Sequence, residues 1–332
     1  MSKAKVVKRK DFWERNKKTH GYLLRKKISE YGYRVIRALL LFGLCFLILQ
    51  PLVNKLSVSF MEQEDLYDAT VISLPRNFTF GNYKLVDQLI GYWECMWNSL
   101  WVSFVVAVLQ VIACTLVGYG FARFKFPLKN FWFACVILVI IVPPQTIMSS
   151  LYLNFRYFDV FGIIKLITGN TLNLQSSMAP YLMMCATCMG LKCGLYIYML
   201  RQFFRGIPKE LEEAAYVDGC GTLATFFRIM LPDAKSMITS CFLFAFVWQW
   251  TDSFYTKMFL GNMEVLTKGL NSIAGRLDNY VEQMGQGTLA SEAFLQQTIS
   301  TGILMAIAPL LILYLFAQKG FVESLSQTGI KM

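Results

Sequence analysis

Several apolar runs close to twenty residues long, separated by polar intervals, restrict this chain to one kind of structure. A run of that length crosses the hydrocarbon core of a bilayer as a helix, because in lipid every backbone N–H and C=O must be satisfied within its own segment. The runs predict six transmembrane helices near residues 35–56, 97–121, 131–153, 178–200, 236–258 and 298–318, hence an all-α polytopic membrane protein. Composition agrees. The chain is 55% hydrophobic and 16% charged, with a mean hydropathy of +0.45, whereas soluble domains carry roughly 25% charged residues.

Orientation follows from the basic residues, which accumulate on the cytoplasmic side. Residues 1–37 hold 13 Lys or Arg against 3 acids. A cleaved signal would have a shorter basic region and a small-residue cleavage site, and neither is evident. Residues 1–34 therefore read as a cytoplasmic tail, either an interfacial helix or a solvated segment. With this end inside, the inner segments hold 23 basic residues and the outer ones 7, counting Lys55 at the end of the first run. The same count puts the polar loop 201–235 and the tail 319–332 in the cytoplasm, flanking a membrane domain over 35–318. The net charge of +11 lies mainly at the N-terminus rather than along a face with stacking aromatics, so it implies a lipid surface and no nucleic acid.

Catalysis and metal binding find little support. Nine cysteines fall mostly in the apolar runs, where a reduced thiol acts as a small hydrophobe. Cys185-x-x-Cys188 has redox spacing but lies mid-span. The single histidine, His20, leaves no His-based zinc pair and no Ser-His-Asp arrangement. No GxxxxGK[ST] phosphate loop is present, so any ATP chemistry must come from another chain.

The stretch Arg201 to Pro232 is a long polar interval between two apolar runs in the second half. Pro208 suits a first helical position, and Glu210, Glu212 and Glu213 place negative charge at the positive end of the helix dipole. Gly219 can adopt the left-handed stop, Thr222 can cap a second helix, and Pro232 ends or bends it. Ala214 with Asp218, and Ala215 with Gly219, are i,i+4 neighbours. They predict a face with little side-chain bulk, edged by Glu213 and Asp218, which either meets a partner's backbone closely or packs on its own protein.

Glu213-Ala214-Ala215, Gly219 and Ile229-x-Leu231-Pro232 together match the EAA loop of permease subunits in binding-protein-dependent ABC importers. The preceding Arg201-Gln202-Phe203-Phe204-x-x-Ile207-Pro208-x-Glu210-Leu211 resembles the carbohydrate-uptake branch, on the side of the six-span maltose-type permease. Asn98-Ser99-Leu100, Tyr119-x-Phe121-Ala122-Arg123-Phe124-x-Phe126-Pro127, Pro143-Pro144 and the closing Gln318-Lys319-x-Phe321-Val322-Glu323-x-Leu325 extend the resemblance over roughly 35–332. Cys220 departs from the pattern, standing where alanine is more usual.

The resemblance implies a transport subunit of a bacterial cytoplasmic membrane, not an enzyme. It implies a coupling helix that docks on an ATPase through Glu213, Ala214, Ala215, Asp218, Gly219, Ile229, Leu231 and Pro232. The implied partners are two ATPase subunits, which carry the ATP and Mg, a second permease forming a heterodimer, and an extracellular solute-binding protein. This chain would bind no cofactor itself. The implied cargo is a sugar or oligosaccharide. A polyamine or peptide permease of the same superfamily is the alternative, and an ATPase-independent channel or membrane scaffold is a third reading.

The substrate path is sought in Trp248-Gln249-Trp250-Thr251-Asp252. A sugar site needs aromatic faces for the C–H side of a ring, and acids or amides for its hydroxyls. A continuous helix would set Trp248, Asp252 and Tyr255 on one face, with Gln249 beside them. The competing reading is an aromatic belt at the interface. Thr251 stands where the family often has asparagine. Lys192, a charge inside the fourth run, is about 13 Å from Arg201 at 1.5 Å per residue. It is either a snorkelling or paired structural cation, or a functional one.

Overall fold

The computed structural model describes residues 22–71, 74–160, 162–175, 177–285 and 289–329. Most of the basic tail, 1–21, and the last residues, 330–332, lie outside them. The chain divides into two compact units, Met1–Phe78 and Thr79–Met332. Among the described residues the structure is helical, with only isolated bridges at Met61–Phe78 and Phe158–Leu172.

In the first unit a single helix, α1 (Tyr22–Ser59), contains the predicted span 35–56 and Pro51. It begins well before the apolar run, so the basic segment from residue 22 onward is helical. Its 38 residues reach about 57 Å at 1.5 Å per residue, longer than a bilayer core of about 30 Å. A short helix, α2 (Gln63–Tyr67), follows. Buried Asp65 closes the unit by accepting hydrogen bonds from the backbone N–H groups of Arg76 at 2.9 Å and Asn77 at 2.8 Å.

The second unit is organised on α4 (Tyr92–Arg123), which follows α3 (Gly81–Ile90). Its core side chains include Val111, Cys114 and Tyr119, packed with Ile197, Leu200, Phe204 and Cys241 of later helices. At Gly118 the neighbouring helix comes so near that an added Cβ would lie 2.9 Å from the Leu200 Cβ. Small residues allow such backbone approach between membrane helices.

The third predicted span is bent. Helix α5 (Lys129–Ile141) gives way to a 3-10 turn, Pro144–Ile147, and α6 (Met148–Arg156), at 99°. Pro143 and Pro144 supply no N–H, and they hold Val142 and Pro143 extended, at ψ 121° and 136°. A short helix, α7 (Ile163–Thr168), follows.

The fourth predicted span, 178–200, is not one helix. It is α8 (Ala179–Ala186) and α9 (Cys193–Gly206), separated by a break in which Cys188 and Lys192 take positive φ, 58° and 60°. The cause is tertiary. Buried Gln110 of α4 donates to the Leu191 carbonyl and, at 3.0 Å, contacts the Cys193 sulfur, satisfying the backbone that the break leaves open.

Two short helical pieces, α10 (Glu210–Val217) and α11 (Thr222–Thr225), occupy the polar loop; a π-turn, Phe226–Met230, leads to α12 (Leu231–Asp233). The fifth predicted span, 236–258, is likewise divided into α13 (Lys235–Trp250) and α14 (Phe254–Phe259), and α13 makes a 74° bend with the segment before it. The glycine-bearing interval after it contains two helices, α15 (Leu266–Asn271) and α16 (Ile273–Gln283). Helix α17 (Glu292–Gly329) holds the sixth predicted span and Pro309. Among the described residues three helices are long and apolar enough to cross a membrane, or five if each bent pair counts once. The divided fourth segment is not among them.

Candidate functional site

Two places in the second unit gather the sequence-selected residues. The first is α10 and its surroundings. Pro208 lies just outside the helix, whose cap is Lys209, and the three glutamates occupy the first turn as their charge favours. The helix stops at Gly219, whose φ is +81° and whose missing Cβ would meet nothing within 4 Å. Glycine is needed there for backbone conformation, not for space. Thr222 is the first residue of α11 rather than its cap, a position held by extended Gly221.

The expected small face is split. Glu213, Ala214, Asp218 and Gly219 are exposed, but Ala215 is buried. Ile229 and Leu231 are half-buried and Pro232 is exposed. The residue that turns inward with Ala215 is Glu212, which the EAA pattern does not single out. Its carboxylate sits 3.3 Å from the Arg123 Nε and accepts a hydrogen bond from the Tyr119 hydroxyl at 3.1 Å. Arg123 also donates to the Ile207 carbonyl at 2.7 Å, so the end of α4 grips the loop on both sides of Pro208. The Tyr119 ring packs on Phe204 and Phe226, 5.4 and 4.8 Å between centroids. The outer surface is left apolar: Val217 is 87% exposed and Leu223 75%.

The second place is the C-terminal end of α13. Because the helix ends at Trp250, Trp248, Asp252 and Tyr255 do not share one helix face; that expectation is corrected by the break at Thr251. Asp252 is buried. One carboxylate oxygen accepts from the Tyr181 hydroxyl at 2.8 Å and from the Thr256 N–H and hydroxyl at 2.9 and 3.1 Å. The other accepts from the Phe254 N–H at 3.1 Å, so the acid holds the start of α14. Gln249 is buried and donates to the Tyr181 oxygen at 3.3 Å, and Tyr255 is buried with its ring edge-on to Tyr181. Tyr181 is the centre of this network. Its only signal in the sequence was a lone tyrosine opening the fourth apolar run.

Trp248 alone of the four reaches the surface, 43% exposed. It lines a cavity of about 200 Å³ with Pro144, Gln145, Leu191, Thr251, Asp252, Ser253 and Phe254. The break before α9 brings in a further residue: the Lys192 ammonium stands 4.9 Å from the centre of the Trp248 ring. Among the described residues no group of His, Cys, Asp or Glu is arranged to hold a metal ion.

Divided helices around a cleft, with a polar loop presenting an exposed helix, define a membrane transport subunit rather than a soluble domain. Residues 114–326 match the family described as binding-protein-dependent transport system inner membrane component, and the chain belongs to it. The arabinooligosaccharides transport system permease protein AraQ of Halalkalibacterium halodurans is 26% identical, covering 87% of this chain and 93% of that protein. The maltodextrin transport system permease protein MdxG of Bacillus subtilis is also 26% identical, over 87% and 92%. The polygalacturonan/rhamnogalacturonan transport system permease protein YtcP of the same organism is 22% identical, over 91% and 96%. Among solved structures, a bacterial ABC transporter that imports the acidic polysaccharide alginate has a chain with the same fold, at a TM-score of 0.68, 19% identity and coverage of 88% and 97%.

Proposed function

We propose that this chain is one transmembrane permease subunit of an ATP-driven saccharide importer, receiving its cargo from an extracellular solute-binding protein. Relatives named for arabinooligosaccharides, maltodextrin and polygalacturonan support a saccharide cargo without choosing between neutral and acidic ones. In this reading it pairs with a second permease and two ATPase subunits in a bacterial cytoplasmic membrane. It crosses the bilayer six times, counting the divided fourth segment as one crossing, with both termini inside. The domain limits remain as read from the sequence: 1–34, 35–318 and 319–332.

The observation that carries the reading is the presentation of α10. Glu212 and Ala215 fasten it inward while Glu213, Ala214, Asp218 and Gly219 stand free beside exposed Val217 and Leu223. A firmly held helix with an open, acid-edged outer face suits docking on an ATPase, where Glu213 would meet a base. Ala215, Ile229, Leu231 and Pro232 set its position. ATP and Mg belong to the docked subunits. Trp248 and Asp252 line the path, and Gln249 and Tyr255 support them from behind.

Glu213→Arg and Gly219→Trp test this. Both sites are exposed, and the left-handed backbone at Gly219 costs an L-residue about 1–2 kcal/mol. The permease should reach the membrane normally yet lose its ATPase subunits on purification and its uptake. Normal uptake by both variants removes the docking role.

A further inference from the structure

We infer that the bilayer surface where α5 starts and α9 ends binds the phosphate of an anionic phospholipid, with Lys125, Lys129, Arg201 and Arg205 around the headgroup and Leu128, Phe131 and Trp132 against the acyl chains. On the orientation proposed above this is the cytoplasmic surface. The inference rests on the membrane-spanning reading and is independent of the cargo.

The fold brings these bases together on an aromatic floor. Lys129 opens α5, and Phe133, one turn on, shares its face. The Arg201 guanidinium of α9 stacks on Phe133, 3.7 Å from the ring centre, and Arg205 follows one turn along α9. The Lys129 ammonium stands 6.0 Å from the centre of the Phe126 ring. Phe121 joins the two sides, packing on Phe126 and Phe133 at 5.5 and 5.7 Å between centroids.

No acid enters this group. The charges close enough to act on Lys129 are Arg201 and Arg205, and the one acting on Arg201 is Arg205, with Tyr198 beside it. Among the described residues none of the four bases lies within ion-pair distance of a carboxylate, and the loop acid Glu212 is paired with Arg123. The Arg201 Nε is buried without a hydrogen-bond partner. Like charges one turn apart repel. Orientation in the membrane requires basic residues on the inner side, but it does not require them to converge.

The backbone and the surface around the bases point to a lipid. Leu128 caps α5 without a side-chain hydrogen bond, and the first turn holds no acid, so the positive helix end and its open N–H groups favour an anion. Lys125, Lys129 and Asn130 line a recess of about 450 Å³ with Phe126, Leu128 and Phe131. Guanidinium forks grip phosphate bidentately. Leu128, Phe131 and Trp132 are exposed immediately beside the recess, where the apolar run begins. An acidic protein surface would answer the charge and leave these apolar side chains unmatched. A phospholipid answers both, and basic pockets between membrane helices on the cytoplasmic side suit anionic headgroups.

The test is native mass spectrometry of the complete importer, comparing retained phosphatidylglycerol with phosphatidylcholine at equal concentration. The wild type should retain phosphatidylglycerol preferentially. Lys129→Gln combined with Arg205→Gln should lower that retention at least about tenfold, the size of losing one charge-assisted hydrogen bond. Lys129→Arg with Arg205→Lys, which keeps both charges, should stay within a few-fold. So should Arg25→Gln with Lys26→Gln, which removes two exposed bases of α1. Excess inorganic phosphate should not displace the lipid. Equal retention of the two lipids by the wild type overturns the inference, as does wild-type retention by the double glutamine variant of Lys129 and Arg205. An equal fall in the α1 variant overturns it in favour of general surface charge. Displacement by phosphate overturns it in favour of a free anion, and loss of the ATPase subunits from the Lys129 and Arg205 variant in favour of an acidic protein surface. Should that variant fail to accumulate, Lys125→Gln decides, because its side chain is exposed: retention should fall about fivefold, and an unchanged value overturns the site. The saccharide reading stands or falls separately, on uptake.

Discussion

Glu212 and Glu213 are adjacent in the chain and should fail in opposite ways. The side chains of Glu212 and Arg123 are 10% and 7% exposed, and the Tyr119 hydroxyl donates to the same carboxylate. Removing one partner of a buried pair costs about 3–5 kcal/mol, because the remaining charge is left uncompensated. In Glu212→Ala the Arg123 guanidinium keeps only the Ile207 carbonyl, and the Tyr119 hydroxyl loses its acceptor. At about 1.4 kcal/mol per tenfold change, opening of α10 should become roughly a hundred- to a few-thousand-fold more frequent. Hydrogen exchange of the Glu210–Val217 amides, measured on the assembled permease in nanodiscs, reads this directly. Glu213→Ala, on the exposed side, should leave exchange within a few-fold of wild type while weakening ATPase co-purification. Glu212→Ala should weaken it too, but only together with faster exchange. Equal exchange in the two variants would refute the argument that Glu212 fastens the helix, and with it the division of α10 into a held face and a free one.

Two further outcomes are expected. Glu264 is held below the usual glutamate range, chiefly by the hydrogen bond from Lys268 and further by Arg276, at 2.8 and 3.1 Å. Its contribution is therefore present above the unfolded value, about 4.3, and lost as pH falls through the lower folded value. The melting-temperature difference between wild type and Glu264→Gln should be small, since the pair is over a third exposed, constant above about pH 5, and gone in stronger acid; a difference that grows on acidification contradicts it. For topology, cysteine at exposed Asn271 should react with an impermeant reagent from outside, and cysteine at exposed Val217 only from inside. Only Cys45, Cys135, Cys188 and Cys220 need replacing beforehand, because the other five cysteines are buried. The reverse labelling pattern inverts the orientation.

What this sequence settled alone is what depends on neighbours along the chain. Helices in lipid satisfy their own hydrogen bonds, so run length and hydropathy were enough for an all-helical membrane protein. The bend at Pro143-Pro144 has a local cause of the same kind: proline removes a backbone donor. The motif residues of the 201–235 loop were legible as a pattern, and so was the stop at Gly219. Tertiary structure decided where a distant group substitutes for a local one. The fourth segment divides because Gln110, 81 residues before Leu191, supplies the bond that its backbone lacks. Asp252, at the wall of the cavity beside Trp248, is tied to a helix start because Tyr181, 71 residues away, donates to one oxygen and the chain turns at Thr251. Helical periodicity shows that Glu212 and Glu213 point in different directions, but only the position of Arg123 selects which is held. Lys192 reaches Trp248 because the break restarts its helix beside α13, a proximity no spacing in the chain records.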